Sequence, residues 1–257
     1  MHELEIKEKK EDIIEPKSET EVLIDLLRTR RSERRFTGAN IPDEHIERIL
    51  DALRTAPSPE NMQMWRYVVI RKDQEMKKLL ADTAQAVSAA VFGSYPYEAT
   101  TGRLWYLPSQ NRAATYEEMK DGELFRYPEK ADTVILGLGS EFWHDATVMY
   151  PMHLFGSVVV AMGMFSAWLV AHSMGYGVAW QAFPLADQRI QELITDKLGI
   201  PRTWIPVGTL NIGVIEGGVQ ARRMLGPSRW PLEGVVFSER WGNPYIRLAF
   251  RKERCDL

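Results

Sequence analysis

Five arginines fall within the eight residues from Arg28 to Arg35 (RTRRSERR), with no lysine among them, in a chain whose net charge is −3. A guanidinium presents planar, paired donors that suit phosphate and carboxylate oxygens better than the point charge of lysine does. Three uses compete for such a block. Cations at the C-terminal end of a helix are favoured by its dipole and can be purely structural. Basic clusters also contact nucleic acid, although no aromatic residues are interleaved here for base stacking. A bound phosphate would be gripped by several charge-assisted hydrogen bonds. Chemistry could also reside in Ala56 to Trp65 (APSPENMQMW). Its prolines stop a helix and make a turn, after which Asn61 and Gln63 come at alternate positions just ahead of an aromatic residue. Side-chain amides donate and accept at once, as the edge of an isoalloxazine or another heterocycle requires, but the same pattern also makes an ordinary Asx turn with surface amides.

The elements that must position these segments follow from periodicity. Val22, Leu23, Leu26 and Leu27 mark one face of a helix with Thr20 as N-cap, running into the arginines. A second helix opens at Pro42-Asp43-Glu44, carries Ile46, Ile49, Leu50 and Leu53 on one face, and stops at Ala56-Pro57. Trp65 to Ile70 reads as a strand and about Asp73 to Val91 as a helix. Residues 93 to 130 lack clear periodicity but hold Tyr95, Tyr97, Trp105, Tyr106, Tyr116, Phe125 and Tyr127, which predicts a lid-like, substrate-shaping insertion rather than a disordered linker. Val134 to Leu138 and Ile205 to Val214 are strands, Leu154 to Ala171 is an apolar helix, and Leu185 to Leu198 an amphipathic one. Residues 215 to 257 have no core of their own, yet Tyr245 to Phe250 reads as a strand, so this extension is expected to pack on a second subunit.

Composition narrows the classes. With 257 residues and 45% hydrophobic content, the chain forms one large domain or two small ones. The small net charge gives no global pull toward nucleic acid or an anionic membrane, and neither partner is expected. The single cysteine, Cys255, excludes a disulfide framework, a cysteine zinc site and an iron–sulfur cluster, and is compatible with a reducing cytoplasm, the expected location. Residues 1 to 20 alternate lysine with acidic residues and predict a mobile arm. The uncharged run Leu154 to Ala171 reaches the lower limit of a membrane span, but it contains Gly156, Ser157, Gly163 and Ser166 and lacks flanking basic residues, as a buried helix of a soluble protein does. Gly137-Leu138-Gly139 imitates a dinucleotide turn but has Phe142 where a third glycine belongs. His144 and His153 lack a third ligand for a metal.

Taken together, RTRRSERRF at 28–36, the proline-bearing helix start at 41–44, APSPENMQMWRYVVI at 56–70, GYGVAWQAFP at 175–184 and SRWPLEG at 228–234 occur in the order and spacing of the nitroreductase-like FMN-dependent flavoproteins, which this chain resembles from about Val22 to Pro231. The resemblance implies an α+β fold, a mainly antiparallel sheet flanked by helices, in a domain-intertwined homodimer whose flavins sit between the subunits. The FMN-binding domain would span 21–214 with its insertion at about 93–130, and the apolar helix would be the buried dimer-core helix. Arg30, Arg31, Ser32 and Arg34 match the block that holds the FMN phosphate, ribityl chain and pyrimidine edge, and Arg229 matches a late basic residue at the phosphate. Pro57, Ser58 and Asn61 would come from the opposite subunit, with Gln63 close by. Many relatives have a Glu-Gly pair beside the flavin N5 where this chain has Ala182-Phe183, whose backbone N–H groups can still reach it. An iodotyrosine-deiodinase-like branch has a hydroxyl residue there, and an oxygen-dependent flavin-fragmenting branch has Asp where Ser32 stands. No catalytic side chain beyond the flavin is expected. Trp105, Tyr106, Tyr116, Glu117 and Lys120 are candidates for the substrate pocket. The expected activity is NAD(P)H-dependent two-electron reduction of a nitroaromatic, quinone or related conjugated electrophile by a ping-pong route. The alternatives are reductive dehalogenation of a halogenated phenol and flavin binding without turnover.

Overall fold

The computed structural model describes residues 17–94, 104, 109–140, 152–218 and 231–245. Within them, helix α1 (Glu19–Thr29) and helix α2 (Asp43–Leu53) precede strand β1 (Trp65–Ile70) and helix α3 (Gln74–Gly93). Helix α4 (Ser109–Lys120), strand β2 (Thr133–Ser140), helix α5 (Met152–Ser173), strand β3 (Gly177–Gln181), helix α6 (Gln188–Lys197) and strand β4 (Trp204–Gly213) follow. The four strands form one antiparallel sheet in the order β1-β2-β4-β3, so the fold is α+β, with helices on both faces. The two inner strands are buried almost throughout, because each face of the sheet has its own helical cover. Ile135, Leu210, Ile212 and Val178 pack against α2 and α5, meeting Ile46, Ile49, Leu53, Val160 and Met164. Val134, Leu136, Leu138 and Ala179 turn the other way, toward Leu80 and Ala84 of α3, Met119 of α4 and Ile194 of α6.

Strand β3 and helix α4 were not foreseen. In β3 the alternation is disguised, since Trp180 faces outward and the amide Gln181 inward. Helix α4 is largely polar but anchors Tyr116 and Met119 in the core, so tertiary burial outweighs weak amphipathicity. The first helix is capped by Ser18 rather than Thr20. The Ser18 hydroxyl accepts the Glu21 N–H while the Glu21 carboxylate accepts the Ser18 N–H at 2.8 Å. Thr20 is followed three residues later by Leu23, which cannot return that bond; Ser18 is followed by Glu21, which can.

Helix α5 lies unusually close to the sheet. A Cβ on Gly139 of β2 would come within 3.0 Å of the Gly156 backbone, and one on Gly163 within 2.2 Å of the Tyr67 hydroxyl. These small residues let α5 sink onto β2 and β1, where a side chain would prise them apart. The helix is long and apolar enough to cross a membrane by length and composition, with half of that window buried inside this fold. Its outer stripe, Val158, Met162 and Phe165, is 40–44% exposed, and α1 beside it buries no residue and exposes Val22, Leu23 and Leu27.

Candidate functional site

The arginine block leaves α1 and is pinned as an extended segment at one end of the sheet. Glu33 N–H donates to the Val178 carbonyl at 2.9 Å, Thr37 N–H to Val214 at 3.0 Å, and Glu216 N–H to the Arg35 carbonyl at 3.1 Å. Phe36, 2% exposed, anchors the segment beside Gly177 and Gly213. Each arginine has its own environment. The Arg30 guanidinium lies 4.5 Å from the Trp168 ring centre, Arg31 pairs with Glu33 at 2.6 Å, and Arg35 pairs with Glu118 at 2.5 Å. Arg34 lies beside the Tyr127 phenol, and its Nε is buried with no hydrogen-bond partner among the described residues. Burial pushes the Tyr127 hydroxyl up from its ordinary value, with Arg34 working in the opposite direction, so this phenol stays neutral. Ser32 is partly buried between these residues.

The second block forms the turn that leads into β1. Asn61 N–H donates to the Ser58 carbonyl at 3.1 Å and Gln63 N–H to the Ser58 hydroxyl at 2.9 Å. The Gln63 amide reaches Asn61 Oδ1 at 3.4 Å, and Arg66 holds the Gln63 carbonyl at 3.0 Å while resting over Trp204. Glu60, Asn61 and Gln63 all adopt positive φ, at 50°, 56° and 51°. Such left-handed residues cost about 1–3 kcal/mol each outside glycine, and they concentrate where a surface must be presented in one shape. Pro57, Asn61 and Gln63 are exposed and Ser58 is partly buried.

A third stretch follows β3. Ala182 leads into a short 3-10 turn, Phe183–Leu185, with Phe183 edge-on to Phe125 at 4.9 Å and to Phe92 at 6.1 Å. Just before it, Gln181 is 4% exposed, and neither its amide nitrogen nor its oxygen finds a partner. Gln181 and Trp168 were not singled out in the sequence, and Tyr127 was noted only as one of the aromatic residues of the insertion. The one available signal was an amide inside the apolar run VAWQA.

The structure does not bring the two blocks together within one chain. The turn at 57–63 abuts the end of the sheet where Trp65 pairs with Gly139, and Gly139 with Ile205. The arginine block bonds to Val178 and Val214 at the opposite end. From Ile205 to Val214 is about 30 Å at roughly 3.3 Å per residue. Helix α5 runs the same way, with Gly156 at Gly139 and Trp168 under Arg30. On α4, Tyr116 is buried whereas Glu117 and Lys120 pair with each other on the exposed side at 3.7 Å, so these three do not converge. Trp105, Tyr106 and Arg229 lie outside the described residues, as does most of the strand expected at 245–250.

A surface depression of about 460 Å³ lies by Ile41, Asp43, Arg71 and Asp132, at the sheet edge away from β3. Three of its charges engage one another, since Arg71 donates to Asp43, Asp132 and the Ile41 carbonyl, and Lys72 also lines it. Burial disfavours the Asp132 carboxylate, but hydrogen bonds from Thr133, Arg71 and Ile41 outweigh it and hold the group below its ordinary range. This network ties α2 to the sheet and offers no chemistry.

Three comparisons bear on this arrangement. The family model described as Nitroreductase family matches residues 27–214. A protein of Archaeoglobus fulgidus named for NADH dehydrogenase/NAD(P)H nitroreductase activity is 26% identical over 193 residues, covering 75% of this chain and 85% of its own. Among solved structures, an oxidoreductase containing FMN is 21% identical with a TM-score of 0.56, covering 85% of this chain and 92% of its own. A hypothetical oxidoreductase of Bacillus subtilis is 18% identical with a TM-score of 0.60, covering 92% and 79%. At these identities the two structures establish the likeness of fold.

Proposed function

Because the chain belongs to the nitroreductase family and is an oxidoreductase, we propose that it binds FMN, takes two electrons from NAD(P)H and passes them to a nitroaromatic, quinone or related conjugated electrophile. The working unit is a homodimer with shared flavin sites. The observation that carries this reading is the separation of the two blocks. An antiparallel pairing of α5 with its copy about a two-fold axis sets the arginine block of one subunit against the 57–63 turn of the other. The apolar stripe Val158, Met162 and Phe165 is the surface such a pairing would cover.

The residues present fit FMN. The block supplies several guanidinium groups for a dianion, and Arg34 offers a buried donor that the protein itself leaves unused. When bound, the flavin supplies the hydride-accepting and hydride-donating chemistry. Arg30 and Arg31, with Arg229 from the C-terminal extension, would hold the phosphate. Arg34 would keep a fixed positive charge at the pyrimidine edge, where reduction places negative charge. Backbone N–H groups at Ala182 and Phe183 would face the N5 side. Pro57, Ser58, Asn61 and Gln63 of the partner would wall the exposed face and exclude water. No separate dinucleotide fold is present among the described residues, so NAD(P)H and the acceptor take turns on one face, in a small aromatic pocket. The single cysteine accords with a reducing cytoplasm.

The purified protein is expected to be yellow and to release FMN, not FAD, on denaturation, as chromatography of the supernatant would show. Colourless protein that fails to take up added FMN sinks the proposal. Steady-state oxidation of NADH and NADPH against a panel of nitroaromatics, quinones and halogenated phenols should give parallel double-reciprocal lines. Intersecting lines, with product inhibition excluded, would count against a single shared stacking face.

A further inference from the structure

Three residues on one face of α5, Phe165, Trp168 and His172, meet the point where α1 ends and the arginine block begins. Their spacing of three and four residues stacks them along the helix. The Arg30 guanidinium lies 4.5 Å from the Trp168 ring centre and 5.9 Å from that of Phe165. Trp168 is 9% exposed, so its face is a desolvated platform. One residue earlier, the Thr29 hydroxyl donates to the Asp25 carbonyl at 2.7 Å and also contacts His172 Nε2 at 2.9 Å. A hydroxyl has one proton to give, so the second contact is donated by the histidine, which therefore carries its hydrogen on Nε2. Helix α1 buries no side chain, and these contacts with α5 fix where its end lies.

Arg31 and Arg35 each pair with a carboxylate. The Arg30 guanidinium lies against two aromatic rings of α5. Attraction to a π face holds a guanidinium in place without using up its N–H donors. We infer that Trp168 is a positioning residue that orients Arg30 toward the phosphate of FMN. The inference rests on the flavin reading above and adds a residue that lies in neither block.

The test compares FMN with riboflavin, which has the same ring and no phosphate, by titration of the apoprotein with flavin fluorescence as readout. Trp168→Leu should weaken FMN binding by about tenfold, the scale of a desolvated cation–π contact, and leave riboflavin binding unchanged. Arg30→Ala should weaken FMN at least as much, and adding Trp168→Leu to it should cost nothing further, because the two residues act as one unit. Trp168→Phe keeps an aromatic face and should lose about threefold for FMN only. It carries the same comparison if the leucine variant does not fold. Equal losses for FMN and riboflavin, additive losses in the double variant, or unchanged FMN binding in both Trp168 variants would each overturn the positioning role. Wild-type protein that binds neither flavin would overturn the flavin reading itself.

Discussion

Replacing Arg34 by alanine is expected to lower the two-electron potential of the bound flavin by about 30 to 65 mV. The reduced ring carries negative charge at its pyrimidine edge that the oxidised ring lacks, so a fixed cation there stabilises the reduced form preferentially. A charge-assisted hydrogen bond is worth roughly 1.5–3 kcal/mol, and about 30 mV corresponds to 1.4 kcal/mol for a two-electron couple. The structure makes Arg34 the residue to test, since among the described residues its Nε is buried without a partner and no carboxylate is paired with it in the way that Glu33 is with Arg31. Tyr127 cannot take over the task, because a phenol carries no positive charge in either protonation state. Arg34→Lys should recover part of the loss, keeping charge while losing planar geometry. Dye equilibration of FMN-saturated wild type and both variants measures this directly. An unchanged potential in the alanine variant would remove Arg34 from the flavin's edge and leave it a structural neighbour of Tyr127.

A larger effect is expected from Met162→Glu. Met162 sits in the middle of the exposed stripe on α5, 44% exposed in the single chain. Permanent dimers bury more than about 2,000 Å² in total, with an apolar centre. A carboxylate placed there has no partner, and its desolvation costs several kcal/mol in each subunit, enough to raise the dissociation constant by more than about a hundredfold. Sedimentation at micromolar concentration should show wild type without detectable monomer and the variant largely monomeric. Because each proposed flavin site takes its phosphate grip from one subunit and its wall from the other, the monomer should also lose bound flavin. A monomer that keeps its flavin would refute the shared site, and an undisturbed dimer would place the interface elsewhere.

Much of this was readable in the sequence, and the omissions have physical reasons. Strands β2 and β4 announced themselves because strands covered on both faces read as continuous apolar runs, and the half-exposed edge strand β1 did so through its aromatic and β-branched residues. Strand β3 did not, since five residues containing an outward tryptophan and an inward glutamine have no helical or alternating period to detect. Helix α4 was hidden because two buried anchors, Tyr116 and Met119, order an otherwise polar segment. The two candidate blocks were legible from residue type alone, as guanidinium clusters and amide-bearing proline turns are unusual local patterns. Their placement at opposite ends of one sheet was not, because that is a property of strand order. Trp168, Gln181 and the place of Tyr127 beside Arg34 stayed invisible for a related reason. Each looks like ordinary core until its neighbour across the fold is known.

Strand order also governs how this chain can be made. The β1 strand must wait for β2 across the whole of residues 71–132, and β2 gains its second neighbour only when β4 emerges after two more helices and another strand. At about 5–20 residues per second, β1 spends several seconds on the ribosome with an unpaired edge, attended by helices α1 to α4. The β1–β2 pair can form once Ser140 has emerged, but the sheet is not complete until β4 has been made, so its folding is strongly non-local. In the dimer proposed above, the apolar stripe of α5 would stay open until a second finished chain arrived. Newly made protein would then pass through a bimolecular step, and its yield in the cell would depend on expression rate and chaperone supply as well as on the stability of the finished fold.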